Sequence, residues 1–150
     1  MRGRAGFTLI ELLVVVSIIG ILASLATPRV RSAQYRARAV EVVNAMRAVR
    51  IGAISYYDSA GAWPPSAGFG SMPSELEGYI GPNIPFTGTG WEMRWQPQGT
   101  RRGRGTGRIR VRTTDPYLCS PLGNLLGGPT SDLTVVCGGR RGTITQTFSP

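Results

Sequence analysis

Histidine and lysine are absent from this chain of 150 residues, cysteine occurs twice, and only 8 residues are acidic. Without histidine the commonest general base and the commonest neutral metal ligand are both missing. Two cysteines with no histidine fall short of the four ligands a structural zinc needs. The acids are scattered from Glu11 to Asp132, with no nucleophile–base pair and no metal-ligand spacing among them. The glycine-rich stretch Gly103–Gly107 carries arginine and lacks the Lys-Ser/Thr of a phosphate loop. The expectation is therefore a chain that is not an enzyme and holds no cofactor and no metal.

What the chain has instead is arginine and one long apolar run. All 17 basic residues are arginine, and the net charge is +9. From Phe7 to Ala26 the sequence is apolar or small, with Thr8, Ser17 and Ser24 as its hydroxyls and one carboxylate, Glu11. At a rise of 1.5 Å per residue such a run spans about 30 Å as a helix, the thickness of a hydrocarbon core. The hydroxyls fit, because a helix lets them bond to carbonyls one turn back. Glu11 does not fit so easily: a carboxylate at membrane depth costs about 2–4 kcal/mol, and the run contains no cation. The nearest plausible cation is an amino terminus, its own or a neighbour's, created by a cut just before Phe7.

Gly6-Phe7-Thr8-Leu9-Ile10-Glu11, followed by the apolar run, resembles the class III signal segment of type IV pilins and type II secretion pseudopilins. The resemblance covers residues 1–28 and says little about 60–150. It implies that residues 1–6 are a leader cut by a prepilin peptidase after Gly6. Phe7 becomes the N-methylated first residue, and Glu11 meets the Phe7 amine of an adjacent subunit during assembly. Gly20 and Pro28 bracket helix able to lose regularity in a filament. Pro28 cannot donate to the Ser24 carbonyl, so a kink or local opening is expected there. The implied partners are further copies of the chain in a helical filament, the peptidase, an assembly ATPase with its platform protein, and the bacterial inner membrane. The globular part then lies outside the cytoplasm, later in a periplasmic or extracellular filament. Two plainer readings compete: a secretory signal peptide cut near Ser24-Leu25-Ala26, and an unprocessed anchor. Arg29, Arg31, Arg36 and Arg38 outnumber Arg2 and Arg4 and by count favour the opposite orientation. The specific motif outweighs that count. Pilus and pseudopilus are not separated, and with only Asp115 and Asp132 in the C-terminal loops no calcium site is expected.

Beyond Pro28, Tyr35, Ala39, Val42, Met46, Val49, Ala53 and Tyr56 recur at spacings of three and four, which predicts an amphipathic helix over 29–57. Residues 58–150 then form one small globular domain. A Gly/Pro/Ser-rich connection occupies 58–90, with Trp63 as a plug that pins it to the helix and a turn at Ser74–Tyr79 begun by Ser74 as N-cap. Period-two alternation predicts strands at Trp91–Trp95 and Arg108–Arg112 joined by a long loop, and a second hairpin at Leu133–Cys137 and Thr143–Phe148. The expected fold is α+β: a long N-terminal helix, transmembrane in its first half and amphipathic in its second, packed against a small antiparallel sheet of about four strands.

Two features keep two readings each. Outside the cytoplasm, Cys119 and Cys137 read as a disulfide, similar to the C-terminal bridge of pilins; two free buried thiols are the alternative. Arg94, Arg108, Arg110 and Arg112, with Arg101, Arg102 and Arg104 in the loop, form a basic patch. It is either a stripe for nucleic-acid phosphates, or a solvated face or subunit contact with acids such as Glu75 and Glu77. The alternative to a polymerising subunit is accordingly a tethered or secreted basic binding module.

Overall fold

The computed structural model describes residues 7–99, 105–128, 132–138 and 141–150. The first element, α1, runs from Leu9 to Ala60. The chain divides after Gln34 into two compact units.

In the first unit every described side chain is exposed, including the whole apolar run. The window of highest hydropathy in α1 is long and apolar enough to cross a membrane. Its hydroxyls bond where a helix in lipid requires: Ser17 donates to Leu13 O at 2.8 Å, Ser24 to Ile21 O at 2.7 Å and Thr27 to Ala23 O at 2.7 Å. Helical structure continues through Gly20 and Pro28. The opening expected at Pro28 is thus no break in the helix here, although Pro28 has no N–H to offer the Ser24 carbonyl.

In the second unit, Ala39, Val42, Met46, Val49 and Ala53 are fully buried, as their spacing predicts. Tyr35 and Tyr56 at the ends of the stripe are half-buried. Val43, Ala45 and Gly52 widen the buried face. Gly52 packs against Ile80, where a methyl group would collide. The helix continues past the expected end at Tyr57 because Asp58-Ser59-Ala60 stay helical until Gly61. That residue sits at φ 69° and donates to Tyr57 O at 2.8 Å, a left-handed stop that suits glycine.

A five-stranded antiparallel sheet completes the α+β fold. Its strands are β1 (Thr87–Gly88), β2 (Trp91–Gln98), β3 (Thr106–Thr113), β4 (Leu133–Gly138) and β5 (Arg141–Phe148), in the order β1-β2-β3-β5-β4. The two expected hairpins are present. The extra strand is the two-residue β1, too short to show alternation. β2 and β3 also extend further than expected, with Gln98 opposite Thr106. Alternation places Trp91, Met93, Trp95, Ile109, Val111, Ile144 and Phe148 in the core together with the buried side chains of α1. Burying each such side chain contributes roughly 1.5–3 kcal/mol. Gly107 lies beneath two rings, and a Cβ there would stand 2.6 Å from Trp95 and 2.8 Å from Phe148.

Three further pieces close the unit. Trp63 is buried between Tyr57, Trp95 and Phe148, with ring centroids at 4.8, 5.6 and 5.8 Å, and its Nε1 donates to Gly105 O at 2.9 Å. It pins the connection to the sheet as well as to the helix. The turn at Ser74 differs from expectation. A 3-10 turn, Ser74–Leu76, leads into α2 (Glu77–Ile80), the residue in the cap position is Pro73, and the Ser74 hydroxyl bonds Glu75 rather than the backbone. Ser74 is therefore inside the turn and caps nothing. Finally α3 (Pro116–Leu125) opens on Asp115, whose carboxylate accepts from Tyr117 N at 3.0 Å with Pro116 in the first turn.

Candidate functional sites: the helix start and the basic sheet face

At the start of α1, Thr8 precedes the first helical residue and Glu11 lies three positions on. The two bond reciprocally. Glu11 N donates to Thr8 Oγ1 at 3.3 Å, and Thr8 N donates to Glu11 Oε2 at 2.9 Å. The Thr8 hydroxyl also donates to the same Oε2 at 2.9 Å. This is a capping box, which satisfies two backbone donors that a helix start otherwise leaves open. The signal was in the sequence as Thr-x-x-Glu before an apolar run, and reading Glu11 only through a missing cation overlooked it. Both bonds to its side chain fall on Oε2, which leaves Oε1 for a further donor. Phe7 stands immediately before this cap, exposed. Gly6 and the rest of residues 1–6 lie outside the described residues.

The second unit carries the other predicted groups. Cys119 in α3 and Cys137 in β4 are joined as a disulfide with Cα atoms 5.8 Å apart, so the free-thiol reading is set aside. The bridge ties α3 to the edge of the sheet.

Arg94, Arg108, Arg110 and Arg112 come together, as period-two alternation requires, on the sheet face opposite the apolar core. Arg94 is the cross-strand partner of Arg110, and Arg112 of Glu92. Arg112 pairs with Glu92 at 2.5 Å, Arg94 donates to Gln96 Oε1 at 2.6 Å, and Arg108 donates to Gln98. Sequence reasoning missed Phe69. Its ring lies under two guanidiniums, with Arg94 at 5.0 Å and Arg112 at 4.5 Å from the centroid. It also missed Arg141, which begins the outward row Arg141, Thr143, Thr145, Thr147 of β5 and could have been found by the same alternation. Arg101, Arg102 and Arg104 lie outside the described residues. Glu75 and Glu77 sit in the turn before the sheet and form no ion pair with this face.

The family model for the prokaryotic N-terminal methylation motif matches residues 1–27. A type IV major pilin protein of Neisseria gonorrhoeae is 40% identical over 78 residues, which cover 50% of this chain and 47% of that protein. The chain is similar, through this segment, to type IV pilins. A fimbrial protein of Eikenella corrodens is 44% identical over 62 residues, 41% of this chain and 40% of its own. A fimbrial protein of Pseudomonas aeruginosa is 42% identical over 55 residues, 37% and 36% of the two chains. The chain thus spans about half or less of the length of the curated relatives it matches. No solved structure matches it. The relatives are named as pilins and fimbrial proteins.

Proposed function

We propose that the chain is a structural subunit of a type IV pilus, and that α1 is both its membrane anchor and its assembly element. The observation that carries this reading is the start of α1: a Thr8–Glu11 cap with a spare carboxylate oxygen, directly after the Gly6-Phe7 junction and before an exposed apolar run. The relatives, named as pilins and fimbrial proteins, support a pilus over a secretion pseudopilus.

The precursor inserts with residues 1–6 on the cytoplasmic side, and a prepilin peptidase cuts between Gly6 and Phe7. The new Phe7 amine is methylated and lies within reach of a Glu11 carboxylate on an adjacent subunit. Burial of apolar helix against apolar helix replaces lipid contacts, so leaving water contributes little to the drive. The charge pair acts in a low dielectric and penalises misregistered subunits, which sets the axial register. Helix between Gly20 and Pro28 is the stretch able to open in the filament, since the Ser24 carbonyl already lacks its helical donor. The cytoplasmic ATPase and platform protein supply the work of extraction. The filament leaves the inner membrane with the Tyr35–Pro150 unit outside the cytoplasm.

The test is the mass of the N-terminal peptide of the protein taken from its native membrane. Phe7 as first residue with one added methyl group is the expected result. A first residue at Thr27, or an intact Met1, removes Glu11 from any assembly role and ends the proposal.

A further inference from the structure

The pilus reading leaves one feature of α1 without a use. Arg29, Arg31 and Arg36 follow the apolar run directly, and by count they oppose the orientation that the reading requires. Each is exposed. Their side chains make no hydrogen bond, ion pair or ring contact among the described residues. Arg38 differs, since it faces Asp115 at 3.8 Å and lies over the Tyr35 ring. The sequence holds no acid between Glu11 and Glu41, so it offers these three cations no local counter-charge. Their depth is set by the run they follow. Arg29 and Arg31 stand about 4.5 and 7.5 Å beyond Ala26 along the helix axis, at 1.5 Å per residue. The headgroup layer outside the hydrocarbon core is about 5–7 Å thick on each side. With Phe7–Ala26 filling the core, both guanidiniums reach the layer of lipid phosphates.

We propose that Arg29 and Arg31 bind the headgroup phosphates of anionic phospholipids, in the leaflet on the C-terminal side of the apolar run. The inference rests on the proposed placement of α1 in the bilayer. Guanidinium forks suit the contact, because they bond phosphate oxygens in pairs. Two positions apart on a helix, the arginines point about 200° from one another, so each meets its own lipid. A zwitterionic headgroup carries a cation beside its phosphate, which is why net anionic lipid is the ligand. Arg36 comes five residues later and adds a weaker attraction, screened over a Debye length of about 8–10 Å. The contact also fixes how deep Glu11 rides. Glu11 precedes Ala26 by 15 residues, about 22 Å of helix, which keeps it inside a core about 30 Å thick. A second copy of this chain is a poorer occupant, because its own stretch at this depth is equally cationic and equally without acids.

The experiment is native mass spectrometry of the full chain, purified from its native membrane and released from nonionic detergent. Phosphatidylglycerol and phosphatidylcholine of equal chain length are supplied in equal amounts, and the readout is the ratio in which they bind. A basic residue at an anionic surface is worth about fivefold, so two give a ratio of about 25. Arg29→Gln and Arg31→Gln are each expected to lower the ratio about fivefold. The double variant is expected to keep only the small preference that Arg36 supplies. Changing both to Lys, which keeps the charge, is expected to preserve most of the ratio. Arg47→Gln, on the exposed side of α1, is expected to change nothing. If the double variant loses helix by circular dichroism, the single variants give the same readout. The proposal is overturned by equal binding of the two lipids to the wild type, by an unchanged ratio in the double Gln variant, or by equal losses for Arg47→Gln and Arg29→Gln. It is also overturned if excess inorganic phosphate erases the preference, which would assign the arginines to a free anion. The N-terminal peptide mass, read on the same sample, separates this failure from that of the pilus reading. Equal lipid binding with a methylated Phe7 start overturns the lipid contact alone, whereas a start at Thr27 removes the span and overturns both.

Discussion

Replacing Glu11 separates the capping role that the structure shows from the assembly role proposed for the same carboxylate. Oε2 accepts both bonds from Thr8, while Oε1 remains for a neighbour's amine. Glu11→Ala removes both functions. Glu11→Gln keeps an oxygen for the Thr8 N–H, since glutamine also closes a capping box, and removes only the charge. Loss of the cap costs about 1 kcal/mol. A carboxylate and an ammonium at 4 Å attract by about 4 kcal/mol at an effective dielectric of 20. If desolvation cancels half of that, about 2 kcal/mol remains per subunit contact, close to 30-fold in an association constant. Both variants are expected to insert and to be cut, because neither change touches Gly6 or Phe7. Both are expected to yield at least about 30-fold less sheared filament than wild type, with glutamine no better than about fivefold above alanine, the worth of the cap. The assays are the N-terminal peptide mass for processing and a quantitative immunoblot for filament yield. A Glu11→Gln variant that assembles normally while Glu11→Ala fails would refute the argument and leave Glu11 as a cap alone.

Three stability predictions follow for the Tyr35–Pro150 unit, each read as a thermal melt of the full chain in nonionic detergent. Changing both Cys119 and Cys137 to Ser reopens a loop of 18 residues and should cost about 3 kcal/mol, lowering Tm by roughly 10 °C; a shift below about 2 °C would mean the bridge restrains nothing. Gly107→Ala drives a methyl group into the Trp95 and Phe148 rings and should cost about 1–3 kcal/mol, so an unchanged melt would contradict that packing. Met46→Ala empties a fully buried position of α1 and should cost about 2–5 kcal/mol. Val40→Ala, on the exposed side of the same helix, is the matched control and should melt as wild type.

The parts legible in the sequence were those written in a period. Spacings of three and four gave the buried stripe of α1, and alternation gave β2, β3, β4, β5 and the side of the sheet on which Arg94, Arg108, Arg110 and Arg112 lie. Single-residue signals were less reliable. Ser74 has the right chemistry for an N-cap, yet Pro73, its φ held at −60° by the ring and its ψ extended at 134°, takes the cap position. The start of α3 at Asp115-Pro116 was equally readable, as an N-cap acid followed by proline in the first turn. β1 exists only because β2 offers an edge to pair with, and a two-residue strand has no pattern of its own. Phe69 lies in a Gly-rich stretch with no periodicity to place it, so its seat between Arg94 and Arg112 depends on the chain path. Backbone bonds set that path: Ala67 N to Trp95 O at 3.2 Å and Gly70 N to Met93 O at 2.9 Å.

Glu11 shows why a missing partner is a weaker argument than a satisfied one. Its cost in lipid is real, and on sequence alone it demanded a cation from outside the run. The capping box meets part of that demand within the chain: two donors on one oxygen let the helix start at Leu9 with its carboxylate in place before any neighbour arrives. The cap lowers the cost of Glu11 but leaves its charge uncompensated, so on the proposed reading a neighbour's amine still has a demand to meet. The carboxylate is also pre-oriented, which lowers the ordering cost when an amine does arrive. Thr8→Ala consequently has a defined effect. It leaves the charge and removes the hydroxyl that steers it, so filaments should still form but at reduced yield, closer to wild type than either Glu11 variant. A Thr8→Ala loss as deep as that of Glu11→Ala would mean that positioning, and not charge, governs assembly.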